Sequence, residues 1–349
     1  MNAVATTALT TLIDRMPKVE LHLHLEGAIQ PATLLRIARR NGIDIPARDE
    51  AGVAQLFRYQ NFHEFLTVFM ALARSLMRGE DFEDIAYELG QTLANQHVLY
   101  AEVMISPAQY VLRGLDINEL VEGAAAGFAR VERERNIRFA LAFDYGRQCG
   151  VDLAWNILEN AIRNRRHGVV AWSIGGDEAF FPPEPFAEVY QAARKAGLHT
   201  MAHAGEVVGP ISVWGAMEAL GCERLGHGIR SIEDANLLER LRERRVTLDI
   251  SPTSNVRTGA VASFAEHPIR RLFDAGVLIT VNTDDPTFFN TTLTDEYRLL
   301  VREYGFDADS ISQLIFNSVQ ASFLPEQEKL LLHNRVKDSL KQLRDELGL

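Results

Sequence analysis

Eight short β-rich runs, separated by helical patterns, constrain the fold of this chain more than any other feature. The runs cover residues 18–27, 100–106, 138–145, 169–176, 199–206, 224–229, 247–254 and 278–285. Between them, apolar residues recur at intervals of three or four, which is typical of amphipathic helices. Eight strands that alternate with helices over about 270 residues predict an α/β fold of the (β/α)8 TIM barrel type.

The segment between the first two predicted strands, residues 28–99, is unusually long and mostly helical. We predict a helical insert that packs against the barrel or forms a lid over its mouth, with Phe62 and Phe65 as an apolar wall. Residues 291–349 are predicted to add helices after the last strand. Because no Gly/Ser-rich or Pro-rich linker interrupts the chain, residues 1–349 are predicted to form a single domain.

The first predicted strand carries two histidines, His22 and His24, in the segment ELHLHLEG. Side chains alternate between the two faces of a strand, so both imidazoles lie on one face and the leucines on the other. Two adjacent imidazoles can hold a metal ion between them. For an isolated motif of this kind, two half-buried histidines hydrogen-bonded to backbone carbonyls are the alternative.

Further residues of metal-ligand type stand at the C-terminal ends of other predicted strands, where barrel enzymes have their active sites. Strand five ends in HAGE, with His203 and Glu206, and strand six ends near His227. Strand eight ends in Asp284 and Asp285. Three imidazoles and one carboxylate suit zinc or a similar divalent ion, which would activate water as a nucleophile near neutral pH. A further histidine and a further acid could then orient that water and move protons.

The end of the fourth strand bears on the number of metal ions. Two-metal barrels of this general kind often carry a carbamylated lysine there, and VVAWSIGG (169–176) contains none. We therefore predict one metal ion per chain.

Glu178, just beyond this strand, is interpreted as an acid that supports the loop or the neighbouring histidine. His199, at the start of strand five, is expected at the opposite rim in a structural role.

Five motifs taken together, HLHLEGA, SIGGDE, HAGE, RLGHG and NTDDP, resemble the adenosine deaminase family of the metal-dependent amidohydrolase superfamily. The resemblance extends from residue 16 to about residue 335. It implies a hydrolase with one Zn²⁺ per chain, acting on a cyclic amidine C–N bond. In the implied reaction, water would be added at C6 of a 6-aminopurine and ammonia would leave.

The resemblance also implies a role for each motif residue. The implied zinc ligands are His22, His24, His203 and Asp284. Glu206 would protonate N1 of the purine, and His227 would orient and help to deprotonate the attacking water. Asp285 would hydrogen-bond or share a proton at N7, or else orient a metal ligand, and the Gly176 amide would reach N3. The side chains and amides expected to face the substrate are His24, Glu26, Phe62, Phe65, Gly176 and Asp285.

Two features bear on the choice of substrate. Adenosine-specific members of the family commonly carry HLDG where this chain has HLEG. Glu26 therefore does not decide whether the substrate carries a ribose. Relatives that act on free adenine or on modified adenosines also use glutamate there. The GGDE sequence after strand four is closer to the adenosine enzymes. We predict adenosine or 2′-deoxyadenosine as the substrate, with adenine and the 5′-modified aminodeoxyfutalosine as alternatives.

Composition and missing motifs argue against several other classes. The net charge of −11 disfavours nucleic acid or an anionic membrane as the main partner. No apolar run approaches 18 residues and the N-terminus lacks signal-peptide features, so a cytoplasmic protein without a membrane span is expected. Cys149 and Cys222 form no disulfide framework.

The remaining alternatives differ in their required motifs. A cytidine-type deaminase needs a PCxxC zinc motif and a Rossmann dehydrogenase needs GxGxxG, and the chain has neither. A non-catalytic nucleoside-binding protein is the alternative from another functional class. The small-molecule partner is thus predicted to be a 6-aminopurine, and the oligomeric state is left open.

Overall fold

Eight parallel strands pair in sequence order, β1 to β8, in a nearly closed barrel. This architecture is seen in a computed structural model that describes the backbone of residues 3–59 and 62–349, and the side chains of residues 7–59 and 63–349. The strands are β1 Lys18–His24, β2 Val98–Ile105, β3 Arg138–Gly146, β4 Val169–Gly175, β5 His199–Ala204, β6 Arg224–His227, β7 Thr247–Ile250 and β8 Ile279–Val281. The predicted (β/α)8 barrel is confirmed.

Helices fill the connections and extend the chain at both ends. They are α1 Ala3–Arg15, α2 Pro31–Asn41, α3 Glu50–Leu56, α4 Phe62–Ala73, α5 Gly79–Asn95, α6 Ala108–Val111, α7 Ile117–Glu134, α8 Val151–Arg163, α9 Ala187–Lys195, α10 Pro210–Glu218, α11 Ala235–Arg244, α12 Pro252–Arg257, α13 Ile269–Asp274, α14 Pro286–Phe289, α15 Leu293–Tyr304, α16 Ala308–Ala321 and α17 Glu326–Leu347. The helical insert after β1 and the extra C-terminal helices are therefore present. Across the described ranges, no helix combines the length and apolarity needed to cross a bilayer.

The first and last strands meet through a short junction rather than a full ladder. A single bridge joins Leu23 to Asp284. The His24 N–H donates to the Asp284 carbonyl at 2.7 Å, and the Asp284 N–H donates to the His22 carbonyl at 3.0 Å. Asn282 continues the junction with its side chain, whose Oδ1 accepts the His22 N–H at 3.1 Å. Closure of the barrel thus places residues from both ends of the sheet side by side.

Several predicted strands are too long at their C-terminal ends. The run 278–285 is a strand only over Ile279–Val281, and the run 199–206 only over His199–Ala204. Asp284 and His227 have φ of 66° and 61°, in the left-handed region. Left-handed backbone turns the chain away from the ladder, so pairing stops at these residues. His227 is the last residue of β6, whereas Glu206, Asp284 and Asp285 lie beyond the ends of their strands.

The opposite end of the barrel interior holds a buried ion cluster around Arg224. Its guanidinium donates to Asp249 and Glu102 at 2.6 Å each, and all three side chains are almost fully buried. The Phe323 ring covers the guanidinium at 4.2 Å and stacks on His199 at 4.3 Å. His199 thus lies at the rim away from the polar strand ends, as predicted.

Candidate active site

Four buried side chains converge at the barrel mouth. His22 and His24 come from β1, His203 from β5, and Asp284 from the turn after β8. One ligand atom from each lies within 4.8 Å of all the others. Nε2 of His22 and Nε2 of His24 each lie 3.4 Å from Asp284 Oδ1. The structure therefore brings together all four residues that the resemblance assigned to zinc.

The chemistry of this cluster fits a metal ion. Both ring nitrogens of His22 and Nδ1 of His24 are buried without a hydrogen-bond partner among the described residues. Unpartnered buried nitrogens are costly, and a cation bound by their lone pairs would remove that cost. Burial lowers the pKa of His24 to about 4, which keeps its imidazole in the neutral, ligating form. Burial alone would raise the pKa of Asp284, but the facing His22 imidazole, with Nε2 at 3.4 Å, outweighs it, so that pKa lies well below its usual range.

Two residues that the sequence analysis did not single out support the cluster, Asp144 in β3 and Arg147 in the turn just after it. Asp144 Oδ1 lies 3.3 Å from His203 Nδ1, which is also 3.2 Å from the Ile174 carbonyl oxygen. Arg147 is fully buried and donates to the backbone carbonyls of Gly175, at 3.3 Å, and of His203. Burial would lower the pKa of His203, but the facing Asp144 carboxylate raises it to about 9. This position therefore favours positive charge, from either a proton or a metal ion.

Glu206 and His227 lie beside the cluster. Nε2 of His227 is 3.5 Å from Glu206 Oε2 and 3.9 Å from Asp284 Oδ2. Burial, together with the charge of Asp284, raises the pKa of Glu206 to about 8. Burial moves the pKa of His227 well below its usual value. Near neutral pH the site therefore holds a carboxylic acid and a neutral imidazole side by side.

Asp285 and Gly176 line the same cavity. Asp285 is buried, its Oδ1 has no partner in the described part of the chain, and burial together with the Asp284 charge raises its pKa well above the usual range. A Cβ on Gly27 would lie 1.7 Å from Asp285 Oδ1. Gly176 has φ of 85°, and a Cβ there would lie 2.1 Å from Gln148 Oε1. Glycine is therefore required at both positions.

The cavity in front of the cluster has an empty volume of about 800 Å³, which includes open solvent at its mouth. Its apolar lining includes Phe65, Leu66, Phe69 and Met70 of α4, together with Leu112 and Cys149; we call these six residues the apolar wall. Phe65 therefore lies where it was predicted. The Phe62 side chain is outside the described residues. Movement of α4 as a lid stays a prediction.

Glu26 is placed differently from the other predicted substrate contacts. Its side chain is 1% exposed, and Oε1 accepts the Ser106 N–H and the Tyr110 hydroxyl, both at 3.0 Å. Oε2 has no partner among the described residues, and burial raises the pKa of Glu26 to about 7. Within the described ranges, Ser106 rather than Glu26 lines the cavity.

Glu178 supports the turn that carries Glu206. Its Oε1 accepts the Gly205 N–H at 2.5 Å, and its Oε2 accepts the N–H groups of Val207 and Val208 at 2.7 and 3.0 Å. These three bonds hold the backbone on both sides of Glu206. The structure agrees with the interpretation of Glu178 as a loop-supporting acid.

Comparisons with known proteins agree with this geometry. The adenosine deaminase family profile matches residues 17–339. An adenine deaminase of Hahella chejuensis is 33% identical over 93% of this chain and 97% of its own. The chain is a member of the adenosine deaminase family. An aminodeoxyfutalosine deaminase of Streptomyces avermitilis is 35% identical over 90% of this chain and 89% of its own.

Among solved structures, an amidohydrolase of Burkholderia ambifaria with bound zinc superimposes with a TM-score of 0.90. The two proteins are 28% identical, and the superposition covers all of this chain and 96% of the Burkholderia protein. As a member of the adenosine deaminase family, the chain is a hydrolase of cyclic amidine C–N bonds that deaminates a 6-aminopurine. The names of its relatives match the predicted alternatives, adenine and aminodeoxyfutalosine, better than the predicted main substrate, adenosine.

Proposed function

We propose that this protein is a zinc-dependent hydrolase that deaminates a 6-aminopurine and releases ammonia. The zinc ligands are His22, His24, His203 and Asp284. The observation that carries the proposal is the buried cluster with unpartnered ring nitrogens, open to a cavity that also holds the carboxyl group of Glu206. When bound, zinc acts as a Lewis acid that makes water nucleophilic near neutral pH.

The protein's own side chains bind the purine and move its protons. Glu206 is protonated near neutral pH because its pKa is about 8, and it donates that proton to N1, which makes C6 electrophilic. Burial and the Asp284 charge raise the pKa of Asp285 well above its usual range, which favours the protonated carboxyl that donates a hydrogen bond to N7. The Gly176 amide binds N3, and His227 orients the attacking water.

For the substrate, we place a 5′-extended adenosine such as aminodeoxyfutalosine ahead of adenosine. The apolar wall lines the same cavity as the metal cluster and would contact a bulky group attached through the sugar. Glu26 gives adenosine no ready sugar contact, because its side chain is buried, does not line the cavity and already accepts two hydrogen bonds through Oε1. Free adenine is the second candidate, since the relative in Hahella chejuensis is named an adenine deaminase.

The test is steady-state ammonia release by the zinc-loaded protein with adenine, adenosine, 2′-deoxyadenosine and aminodeoxyfutalosine. We expect kcat/KM to be highest for aminodeoxyfutalosine, by at least about tenfold, or about 1.4 kcal/mol. Fastest turnover of adenine would establish the second candidate instead. No ammonia from any 6-aminopurine would contradict the proposed function.

A further inference from the structure

A buried chain of hydrogen bonds lies behind His227, on the side away from the cavity. The Ile269 N–H donates to Nδ1 of His267 at 3.2 Å, and Nε2 of His267 lies 3.0 Å from Asn255 Oδ1. Asn255 Nδ2 in turn lies 3.0 Å from His227 Nδ1. The side chains of His267, Asn255 and His227 are almost fully buried, so water does not compete for these bonds.

The backbone amide at one end of this chain sets the direction of every bond in it. An N–H can only donate, so Nδ1 of His267 accepts and carries no hydrogen. Burial lowers the pKa of His267 to about 3, so its ring is neutral and its one hydrogen is on Nε2. That hydrogen is donated to Asn255 Oδ1. The NH2 group of Asn255 therefore faces His227, and His227 Nδ1 must be an acceptor.

We infer that Asn255 and His267 are positioning residues that fix His227 as the neutral tautomer with its hydrogen on Nε2. The cavity side of His227 provides an independent observation. The ionised carboxylate of Asp284 faces Nε2 there, with its Oδ2 at 3.9 Å, and the carboxyl oxygen Oε2 of Glu206 lies at 3.5 Å. A hydrogen on Nε2 suits the Asp284 carboxylate, which can only accept, whereas a lone pair on Nε2 would face the lone pairs of Asp284.

The tautomer has a consequence for catalysis, which rests on the proposed function. A ring with its hydrogen on Nε2 donates a hydrogen bond to the oxygen of the attacking water and has no lone pair on that side. His227 then orients the water without removing its proton, which passes instead to the Glu206 carboxylate that is left after N1 has been protonated. This differs from the family-based expectation, in which His227 also helps to deprotonate the water.

The direct test is ¹⁵N NMR of the histidine rings in the full-length, zinc-loaded protein. The His227 signals are identified by their absence in His227→Asn. We expect an unprotonated shift for Nδ1 and a protonated shift for Nε2. Asn255→Asp replaces the donor with a carboxylate and should move a hydrogen onto Nδ1. A protonated Nδ1 in the unaltered protein, or no change in Asn255→Asp, would overturn the inference. This readout needs no substrate, so it stands apart from any failure of the proposed function.

Kinetics test the positioning role through His267. His267→Ala removes the donor to Asn255 Oδ1, whereas His267→Gln can place its Nε2–H group near the position of imidazole Nε2. We expect kcat to fall by about 10- to 100-fold in His267→Ala, the usual range for such supporting residues, with bound zinc and KM unchanged. His267→Gln should recover most of this loss. Equal kcat in His267→Ala and the unaltered protein, or a folded His267→Gln as slow as the alanine variant, would contradict the role. If His267→Ala does not fold, kcat is measured in Asn255→Asp instead. It should fall, because His227 then carries its hydrogen on Nδ1.

Discussion

His22 and Asp284 stand at opposite ends of the barrel sequence, on β1 and just after β8, yet His22 Nε2 lies 3.4 Å from Asp284 Oδ1. The backbone makes this approach possible, because the Asp284 N–H donates to the His22 carbonyl at 3.0 Å. Ser254 then fixes the carboxylate by donating to Oδ2 at 2.6 Å. The closing junction of the barrel and the proposed metal site are therefore one structural unit.

Removal of either residue should remove the metal. We expect His22→Ala and Asp284→Ala to lose bound zinc and turnover together, because three remaining ligands no longer form a full set. Metal analysis of the purified variants checks this, with about one zinc per chain expected in the unaltered protein. His63→Ala, an exposed histidine on α4, is the matched control and should keep its zinc. Two tightly bound ions per chain, both needed for activity, would contradict a single-metal site.

Glu206→Gln should separate catalysis from metal binding. Glutamine keeps the size of the side chain but cannot give a proton to N1. We expect normal zinc content and a loss of kcat on the order of 10²–10⁴, the usual contribution of a positioned acid. Glu218→Gln, an exposed glutamate, is the control. A zinc-replete Glu206→Gln with near-normal kcat would remove Glu206 from the mechanism.

The pH dependence of activity should follow the protonated form of Glu206. Its pKa of about 8 means that the acid is present below that pH and is lost above it. A bound cation nearby would lower this pKa, so we expect the falling limb of the kcat profile at or below pH 8. That limb should disappear in the residual activity of Glu206→Gln. Activity that keeps rising through pH 9 would contradict the role of a proton donor.

Glu26 should affect nucleosides more than free adenine. Glu26→Ala leaves the Tyr110 hydroxyl and the Ser106 N–H without their acceptor, so the cavity edge beside them should loosen. We expect KM to rise for N9-substituted purines and to stay nearly unchanged for adenine, with Glu26→Gln milder because it keeps an acceptor oxygen. Steady-state kinetics on adenine and adenosine check this. Equal damage to both substrates would show that Glu26 serves the purine pocket.

Much of this architecture can be predicted from the sequence, because the strand and helix periodicities predict a barrel. In a barrel, the C-terminal ends of all the parallel strands lie at the same rim. The four ligand positions also follow from motifs at those ends. The residues that hold these ligands and His227 in place could not be predicted. They are Asp144, Ser254, Asn255 and His267, which belong to no motif and meet their partners only after folding. Asp144 had one sequence signal, as a lone acid near the end of the apolar run RFALAFDY. The direction of the Glu26 side chain also depends on Ser106, just after β2, and Tyr110 of α6, which lie far along the chain.

Arg224 offers a test of the fold that is independent of the chemistry. Arg224→Ala leaves the carboxylates of Glu102 and Asp249 buried without their cation. Breaking such a buried pair costs about 3–5 kcal/mol of unfolding free energy. Arg15→Ala, in a solvent-exposed pair with Glu346, should change the free energy of unfolding little, because water screens that pair. Chemical denaturation of both variants checks the difference, and equal stabilities would show that the cluster does not stabilise the barrel.

The central claim, zinc-dependent deamination of a 6-aminopurine, is tested most directly by adding zinc back to metal-stripped protein while ammonia release is measured. Aminodeoxyfutalosine, adenine and adenosine each serve as substrate, and Asp284→Ala is the matched control. We predict that ammonia release rises linearly with zinc and reaches a plateau at about one equivalent per chain, with no response in Asp284→Ala. Full activity in metal-stripped protein, or no ammonia from any of these purines at full zinc occupancy, would contradict the account.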